Sequence, residues 1–192
     1  MDTEQLQAQR RLLIRQRVRP MVNQYEVHTE TPDGKEGEMV AFARQKRVAF
    51  KEQVTLYTDD SRQQVFGGFK ARQMLDVGAA YDVTDATGAS VGLFRKEFRK
   101  SLLRSTWRVE QPGLGAVTGQ ERSLAVALLR RLWDGFIWPY HFDFTGPDGA
   151  AAFSVTKKIG LRDRYVVQID DPHLDRRLVI AQAVALDALQ AR

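Results

Sequence analysis

A nearly continuous apolar segment at residues 178–189 constrains the fold more than any other part of the sequence. Only Gln182 and Asp187 interrupt it. Asp171-Pro172 precedes it as a helix start signal, so the spacing predicts a helix over residues 172–190 that is apolar in nearly every direction. Such a helix must be enclosed by protein or lipid, and this one is shorter than the ~20 residues that a bilayer-spanning helix needs. We therefore expect protein to surround it.

Most of the rest of the chain predicts short antiparallel strands. Apolar residues alternate with polar or small ones around Tyr81, Phe142 and Tyr165, which is the period of a half-buried strand. Turn signals separate the runs, at Asp33-Gly34, Gly67-Gly68, Thr87-Gly88 and Asp148-Gly149. A closed sheet wrapped around the C-terminal helix accommodates both patterns and removes exposed strand edges.

A faint internal repeat supports a β architecture built from one repeated unit. An offset of 61 residues aligns Tyr81-Asp82-Val83-Thr84 with Phe142-Asp143-Phe144-Thr145, and Gly88-Ala89 with Gly149-Ala150. The alignment predicts two hairpins that share their inward faces and their turn position.

Two further segments predict helices. Residues 4–17 are rich in Gln, Arg and Leu, and we interpret residues 1–20 as a basic helical segment outside the main domain of residues 21–192. Residues 120–134 have Leu at helical spacing and Gly135 just beyond as a stop signal, which predicts an inserted helix.

The positive charge is concentrated in two places. The chain of 192 residues carries a net charge of +5; residues 1–20 carry +3 and residues 92–108 carry +5, so the remainder is negative. Residues 93–108 interleave cationic and large apolar side chains. This pattern is compatible with an anionic lipid surface, with single-stranded nucleic acid or with a merely solvated face. Nucleic acid is disfavoured because no RNP-like, helix-turn-helix or zinc-finger pattern occurs.

Several residue patterns suggest catalysis but lack the context it needs. The chain has no Cys. Ser90 lies in a G-x-S-x-G sequence, but the residues after it predict a returning strand, whereas a nucleophile elbow needs a helix there. Residues 113–119 are one residue too long for a dinucleotide loop, and we interpret them as a flexible connection between a strand and a helix. His28, His141 and His173 have no metal-ligand spacing. We predict no catalytic residue, no metal site and no cofactor.

The hairpin of residues 81–92, followed by basic Leu93-Phe94-Arg95-Lys96, resembles the scramblase and LURP-one-related (tubby-like) families. Residues 153–158, residues 165–169 and the terminal apolar helix carry the same resemblance, which covers residues 25–189. It implies a twelve-stranded antiparallel closed barrel around a central hydrophobic C-terminal helix.

The resemblance also implies a function, because tubby-type barrels bind phosphoinositides through basic residues. We expect a non-enzymatic barrel that contacts anionic phospholipid through Arg95, Lys96, Arg99, Lys100 and Arg104, with the arginines of the first helix as a second contact. The chain lacks the Cys-rich palmitoylation segment and the calcium loop of scramblases, which disfavours lipid scrambling. We expect a cytoplasmic protein, peripheral at the inner membrane surface. The alternative is a soluble module that binds a protein partner and no lipid. The sequence does not predict an oligomeric state.

Overall fold

The computed structural model describes residues 3–19, 22–46, 53–72, 80–97, 105–122, 141–158 and 164–190. These residues form two helices and twelve strands. In chain order they are α1 (Thr3–Gln7), β1 (Arg11–Arg19), β2 (Val22–Glu30), β3 (Glu36–Lys46), β4 (Gln53–Tyr57), β5 (Val65–Ala71), β6 (Ala80–Asp85), β7 (Ser90–Lys96), β8 (Thr106–Gln111), β9 (Gly115–Glu121), β10 (His141–Thr145), β11 (Ala151–Lys158), β12 (Arg164–Ile169) and α2 (Arg176–Gln190).

The strands form one closed antiparallel barrel. Each strand pairs with its neighbours along the chain, and β1 pairs with β12 to close the sheet. Closure leaves no unpaired strand edge, which is the usual hazard of an exposed sheet. The predicted mostly-β, twelve-stranded antiparallel closed barrel is confirmed.

The N-terminal helix predicted over residues 4–17 is wrong in its extent. It ends at Gln7, and β1 begins at Arg11. In β1 the even positions Leu12 and Ile14 are buried while Arg11 and Arg15 are on the other face. That period of two fits a strand, and β1 supplies the closing strand of the barrel, so residues 11–19 are part of it rather than a separate helical segment.

The inserted helix predicted over residues 120–134 is mostly beyond the described residues. Gln120 and Glu121 end strand β9. Residues 123–134 lie outside the described part of the chain. This prediction therefore remains a prediction from residue 123 onward.

Helix α2 begins four residues later than the predicted start at Pro172. Its N-cap is Asp175, whose carboxylate accepts the backbone N–H of Arg177 at 2.9 Å. Asp171, the predicted start signal, instead accepts the N–H of His173 at 2.8 Å in the preceding turn. Two Asp residues four positions apart offered the same signal, and the later one caps the helix.

The apolar character of α2 corresponds to burial on all sides. Every residue from Leu178 to Ala188 is buried, including the polar Gln182 and Asp187. The helix contacts β5, β6 and β7. At β7 the absence of a side chain on Gly92 is required, because a Cβ there would lie 2.8 Å from Cδ2 of Leu178.

The barrel has two ends of different construction. Because successive antiparallel strands alternate in direction, the β2–β3, β4–β5, β6–β7, β8–β9 and β10–β11 turns all lie at one end, together with the β12–α2 connection. We call this the turn end. The opposite end, where the odd-numbered strands finish and the even-numbered strands begin, is called the far end.

The internal repeat predicted from the 61-residue offset is confirmed in the pairing of the strands. The β6–β7 register shifts between Val83 and Thr84, and the β10–β11 register shifts between Phe144 and Thr145, the two positions that the offset equates. The two hairpins also share the burial pattern of their second strands over seven residues.

Most of the predicted turns are confirmed. Gly34, Gly88 and Gly149 occupy turns with φ between 78° and 87°, a conformation that favours glycine. Gly67-Gly68 is the exception, because it lies inside β5. A Cβ on Gly68 would lie 2.7 Å from the carbonyl oxygen of Val54, so the glycines allow close strand approach rather than a reversal of the chain.

Candidate anion-binding site

A groove of about 890 Å³ lies over β4, β5 and β6 and extends to the β6–β7 turn. Its floor includes Gly67 and Gly68, which carry no side chain. Around this floor the groove has polar and charged side chains suited to hydrogen bonding, namely those of Gln53, Thr55, Lys70, Arg72, Asp82, Thr84, Asp85 and Thr87.

Lys70 is the uncompensated cation of this groove. It lies one residue before the end of β5, directly opposite Gln53 on β4 and Asp82 on β6. Its side chain is exposed, and no ion pair joins it to a carboxylate within the described residues. An anion in the groove would therefore meet a cation that no other group neutralises.

Arg72 forms the wall of the groove with Asp82. Its Nε donates to Asp82 at 2.9 Å and its Nη2 donates to the other oxygen of the same carboxylate, which makes the pair bidentate. Hydrogen bonding to Asp82 raises the pKa of Arg72. The backbone N–H of Arg72 also donates to the carbonyl oxygen of Ala80 at 2.8 Å. This bond joins the residue after β5 to the first residue of β6.

The same Arg–Asp arrangement recurs in the repeated unit. Arg122, just after β9, donates its Nε to Asp143 of β10 at 2.7 Å, and its backbone N–H donates to the carbonyl of His141. Asp143 is the 61-residue equivalent of Asp82, whereas Arg122 does not follow that offset and instead shares with Arg72 its place just after the preceding strand.

A second cleft of about 340 Å³ continues from the groove beyond Asp82. It is lined by residues of β7, β8 and β9 and by the turn after β8, including Leu93, Arg108 and Glu110. Arg72 and Asp82 line both cavities and therefore separate them.

Of the predicted lipid-binding residues, Arg95 and Lys96 are on β7. Arg95 is paired, with Nε 3.3 Å from Glu97 and Nη2 3.5 Å from Glu110, while Glu110 also accepts from Arg108 at 2.7 Å. Lys96 is the next residue and pairs across the ladder with the buried Trp107, so alternation places it on the opposite face from Arg95. Arg99, Lys100 and Arg104 lie outside the described residues.

The predicted second contact, through arginines of a first helix, requires correction. Arg11, Arg15 and Arg17 are on strand β1 and form ion pairs with carboxylates of β2 and β3. Arg15 and Arg17 both pair with Glu26, whose side chain is only 1% exposed. These arginines satisfy buried and half-buried carboxylates, so they are not free to meet an external anion.

The structure shows where the sequence motifs that suggest catalysis lie in the barrel. Ser90 is the first residue of β7 after the hairpin turn, as interpreted from the sequence. Residues 113–119 form the tight β8–β9 turn and strand β9, so the expected flexible connection to a helix is wrong there. Nδ1 of His28 lies 3.1 Å from the carbonyl oxygen of Gly37, and Nδ1 of His141 lies 3.1 Å from Oγ1 of Thr156. Among the described residues no group of His, Asp and Glu has the arrangement of a metal site.

Sequence reasoning missed the groove itself. Gly67-Gly68 predicted a turn, and Lys70 and Arg72, which follow closely, were not singled out. A signal was available in the sequence, because the apolar Phe69 stands between the small Gly68 and the cationic Lys70. Such alternation is typical of a strand, here with one cationic face.

The chain belongs to the LURP-one-related family, whose model matches residues 39–187. The match begins in β3 and ends in α2, so it includes the groove, β7 and most of the barrel. No curated protein matches the sequence. In the part of the chain that the structure describes, no helix has the length and hydropathy to cross a membrane.

Proposed function

We propose that this LURP-one-related barrel binds anionic phospholipid headgroups at a membrane surface and is not an enzyme. The observation that carries the proposal is the polar groove on β4–β6 with the exposed, unpaired Lys70 beside it. A phosphate oxygen could accept hydrogen bonds from Lys70 and from hydroxyl groups around the floor, such as those of Thr55 and Thr84. Membrane headgroups attract nearby Lys and Arg by about 1 kcal/mol each.

A second part of this proposal concerns the predicted lipid-binding residues. They are Arg95, Lys96, Arg99, Lys100 and Arg104. The sequence between β7 and β8 adds three cations next to Arg95, which is on the strand neighbouring β6. We propose that they strengthen membrane attraction at long range, while the groove on β4–β6 provides the headgroup contact. The proposed location is cytoplasmic, peripheral at the inner membrane surface.

The placement of α2 supports a rigid scaffold in this proposal. We propose that α2 is the central core that the strands encircle, since it is buried from Leu178 to Ala188 and its Asp187 contacts Tyr25 on β2 and Tyr165 on β12. With α2 filling the barrel interior, recognition of lipid would be confined to the headgroup.

Co-sedimentation with vesicles tests the lipid proposal. Vesicles of phosphatidylcholine alone are compared with vesicles that contain anionic phospholipid, at low and physiological salt. We expect binding to the anionic vesicles alone, weakened by salt, and about a fivefold loss of affinity for Lys70→Ala. Lys35→Ala is the matched control, because Lys35 is an exposed cation in the β2–β3 turn and pairs with Asp33. Equal partition onto neutral and anionic vesicles would refute the proposal.

A second candidate is a soluble module that binds a protein partner. It is favoured by the compensated charge of Arg95, a predicted lipid-binding residue that pairs with Glu97 and with Glu110, which also pairs with Arg108. A surface with both signs interspersed is typical of solvated faces and of polar protein interfaces. Saturable binding of one protein, unchanged by anionic vesicles and abolished by Glu110→Lys, would support this candidate over lipid.

A further inference from the structure

A pocket of about 430 Å³ opens at the turn end of the barrel. It lies beside the first half of β3. Because β4 ends at Tyr57, which pairs with Phe42, the part of β3 before Phe42 extends beyond β4 towards the turn end. Met39 and Val40 of this extension line the pocket, together with residues of the β4–β5 and β6–β7 turns. Its volume is in the range of small-molecule sites, roughly 300–1,000 Å³.

The walls of the pocket include buried and half-buried apolar side chains. Leu6 of α1 and Val40 are buried, while Met39 and Phe66 are half-buried. Helix α1 is held against α2 by Gln7, whose amide donates to Asp175 at 3.1 Å and whose carbonyl oxygen accepts the N–H of Arg176 at 3.1 Å. These walls suit a short apolar group.

The charged residues that line the pocket are Arg177 of α2 and Asp85 at the end of β6. Nε and Nη2 of Arg177 donate to the two carboxylate oxygens of Asp175, at 3.0 and 2.6 Å. Oδ1 of Asp85 accepts the N–H and the hydroxyl of Thr87 and the N–H of Ala89. The bond from the Thr87 hydroxyl holds the pKa of Asp85 below its usual value, so this carboxylate is ionised at neutral pH.

One donor and one acceptor of this pair remain without a hydrogen bond in the described part of the chain. Nη1 of Arg177 and Oδ2 of Asp85 lie 3.6 Å apart, which is beyond hydrogen-bond distance. A single neutral group can satisfy both atoms if it carries an acceptor oxygen and an N–H or O–H donor. Amides and hydroxyl groups have this combination.

Ionised groups fit the same pair poorly. Asp85 and Asp175 against Arg177 leave one negative charge in excess, which disfavours a carboxylate. An ammonium would place a second cation beside Nη1 of Arg177 and leave that atom without an acceptor. Either ion would also lose much of its hydration between apolar walls, whereas an amide or a hydroxyl loses far less.

We infer that the pocket binds a small neutral molecule with a short apolar body and an amide or hydroxyl head, and that the head bridges Arg177 and Asp85. The inference goes beyond the proposed lipid function, because the pocket and the groove are separate cavities. Val65, Asp85, Ala86 and Thr87 line both and form the wall between them.

A series of probes with one apolar body tests the head group. The isotope-labelled whole chain is titrated at neutral pH with hexanamide, 1-hexanol, hexanoate and hexylammonium, and binding is followed by the shifts of backbone amide resonances. We expect hexanamide and hexanol to shift the resonances of Thr58 and Thr87, with about fivefold or higher affinity than either ion. Equal affinities for all the probes, or shifts confined to other parts of the barrel, would overturn the inference.

Asp85→Asn tests the bridging pair. Asn retains an acceptor oxygen for Thr87 and Ala89 but replaces Oδ2 by a donor, so two donors and no excess charge then face the head group. We expect the preference for hexanamide over hexanoate to fall about fivefold or more. Asp148→Asn is the matched control, because Asp148 accepts the N–H of Ala150 in the β10–β11 turn and lies outside the pocket.

Thermal unfolding establishes that both variants fold. An unchanged preference in folded Asp85→Asn, or an equal fall in Asp148→Asn, would contradict the bridge between Arg177 and Asp85. If Asp85→Asn does not fold, the probe series on the wild type decides the inference alone. Vesicle binding is measured separately, so failure of the pocket and failure of the lipid proposal are distinguishable.

Discussion

At the scale of single residues, Asp187 shows how a polar interruption in an apolar helix becomes a structural contact. Its carboxylate accepts the hydroxyl of Tyr25 from β2 at 2.8 Å and the hydroxyl of Tyr165 from β12. Gln16 of β1 also donates to the Tyr25 oxygen at 3.4 Å. One carboxylate thus links α2 to both strands that flank the closing strand of the barrel.

Removing only the acceptor should be costly. We expect Asp187→Ala to lower the free energy of unfolding by about 1–3 kcal/mol, because two buried hydroxyls lose their partner. Replacing all three polar groups, with Asp187→Leu, Tyr25→Phe and Tyr165→Phe together, should be closer to neutral. Urea unfolding measures both variants. A triple variant less stable than Asp187→Ala would show that this carboxylate is not the source of the stability.

A second residue-scale prediction concerns Gly119 on β9. A Cβ there would overlap the ring of Phe144, which is held by stacking on Phe153 with centroids 4.0 Å apart. We expect Gly119→Ala to destabilise the barrel by about 1–3 kcal/mol through overpacking. Adding Phe144→Leu should recover part of the loss, since it removes the ring that the new methyl group meets. Additive losses in thermal unfolding would contradict this explanation.

The residue scale is where sequence reasoning was weakest. Strand alternation correctly predicted the buried faces of Tyr81, Phe142 and Tyr165. It could not reveal that Arg15 and Arg17 neutralise Glu26, because ion pairs depend on cross-strand register, which period alone does not fix. Close packing at Gly67-Gly68 was likewise indistinguishable from a turn.

At the scale of elements, α2 was the most predictable part of the chain. Its apolar pattern required enclosure, and burial from Leu178 to Ala188 agrees with that requirement. The N-terminal segment was less predictable, because Leu, Arg and Gln are good helix formers and the pairing of β1 with β2 and β12 overrides that preference.

A charge inside α2 should disrupt the fold. Val184 is buried in the middle of the helix, so Val184→Asp places an unpaired carboxylate there and should cost several kcal/mol. Val65 is 43% exposed on β5, and Val65→Asp is the matched control with little expected effect. Thermal unfolding followed by circular dichroism compares the two. A wild-type melting temperature for Val184→Asp would contradict burial at this position.

The N-cap of α2 gives the protein an acid-sensitive element. Burial tends to raise the pKa of Asp175, but hydrogen bonds from Arg177 and Gln7 outweigh it and hold the pKa below its usual value. The folded state therefore binds fewer protons than the unfolded state, so the contribution is present above the unfolded pKa of about 3.9 and is lost as pH falls through the folded pKa.

Asp175→Asn tests this contribution. We expect the variant to be less stable than the wild type at neutral pH and to lose less stability as pH falls below about 4. Asp60→Asn, in an exposed turn, is the control and should retain the wild-type slope. Parallel stability–pH curves for Asp175→Asn and the wild type would exclude this role.

At the scale of the whole molecule, closure of the barrel depends on β1. Its register pairs Leu12 with Val167 of β12 and with Thr29 of β2, so the strand fills the gap between them. We expect removal of residues 1–19 to open two strand edges and yield an unfolded or aggregated protein. Removal of residues 1–5 keeps β1, Leu6 and Gln7, and should leave a folded monomer. Size-exclusion chromatography and circular dichroism distinguish these results. If the chain still folds as a monomer without residues 1–19, the barrel does not depend on β1. The predicted division into a separate N-terminal segment and a main domain would then hold.

The order of strands around the barrel also has a kinetic consequence. Eleven of the twelve ladders join strands that follow each other along the chain, and only β1 with β12 joins distant segments. Local hairpins form within microseconds, whereas contacts of high sequence separation must first overcome the entropy of closing a long loop. Since β12 and α2 come after every other strand, a chain emerging from the ribosome has neither its final ladder nor its apolar helix. Until synthesis reaches them, the nascent sheet stays open, and the segment from Arg164 onward decides when the molecule becomes native.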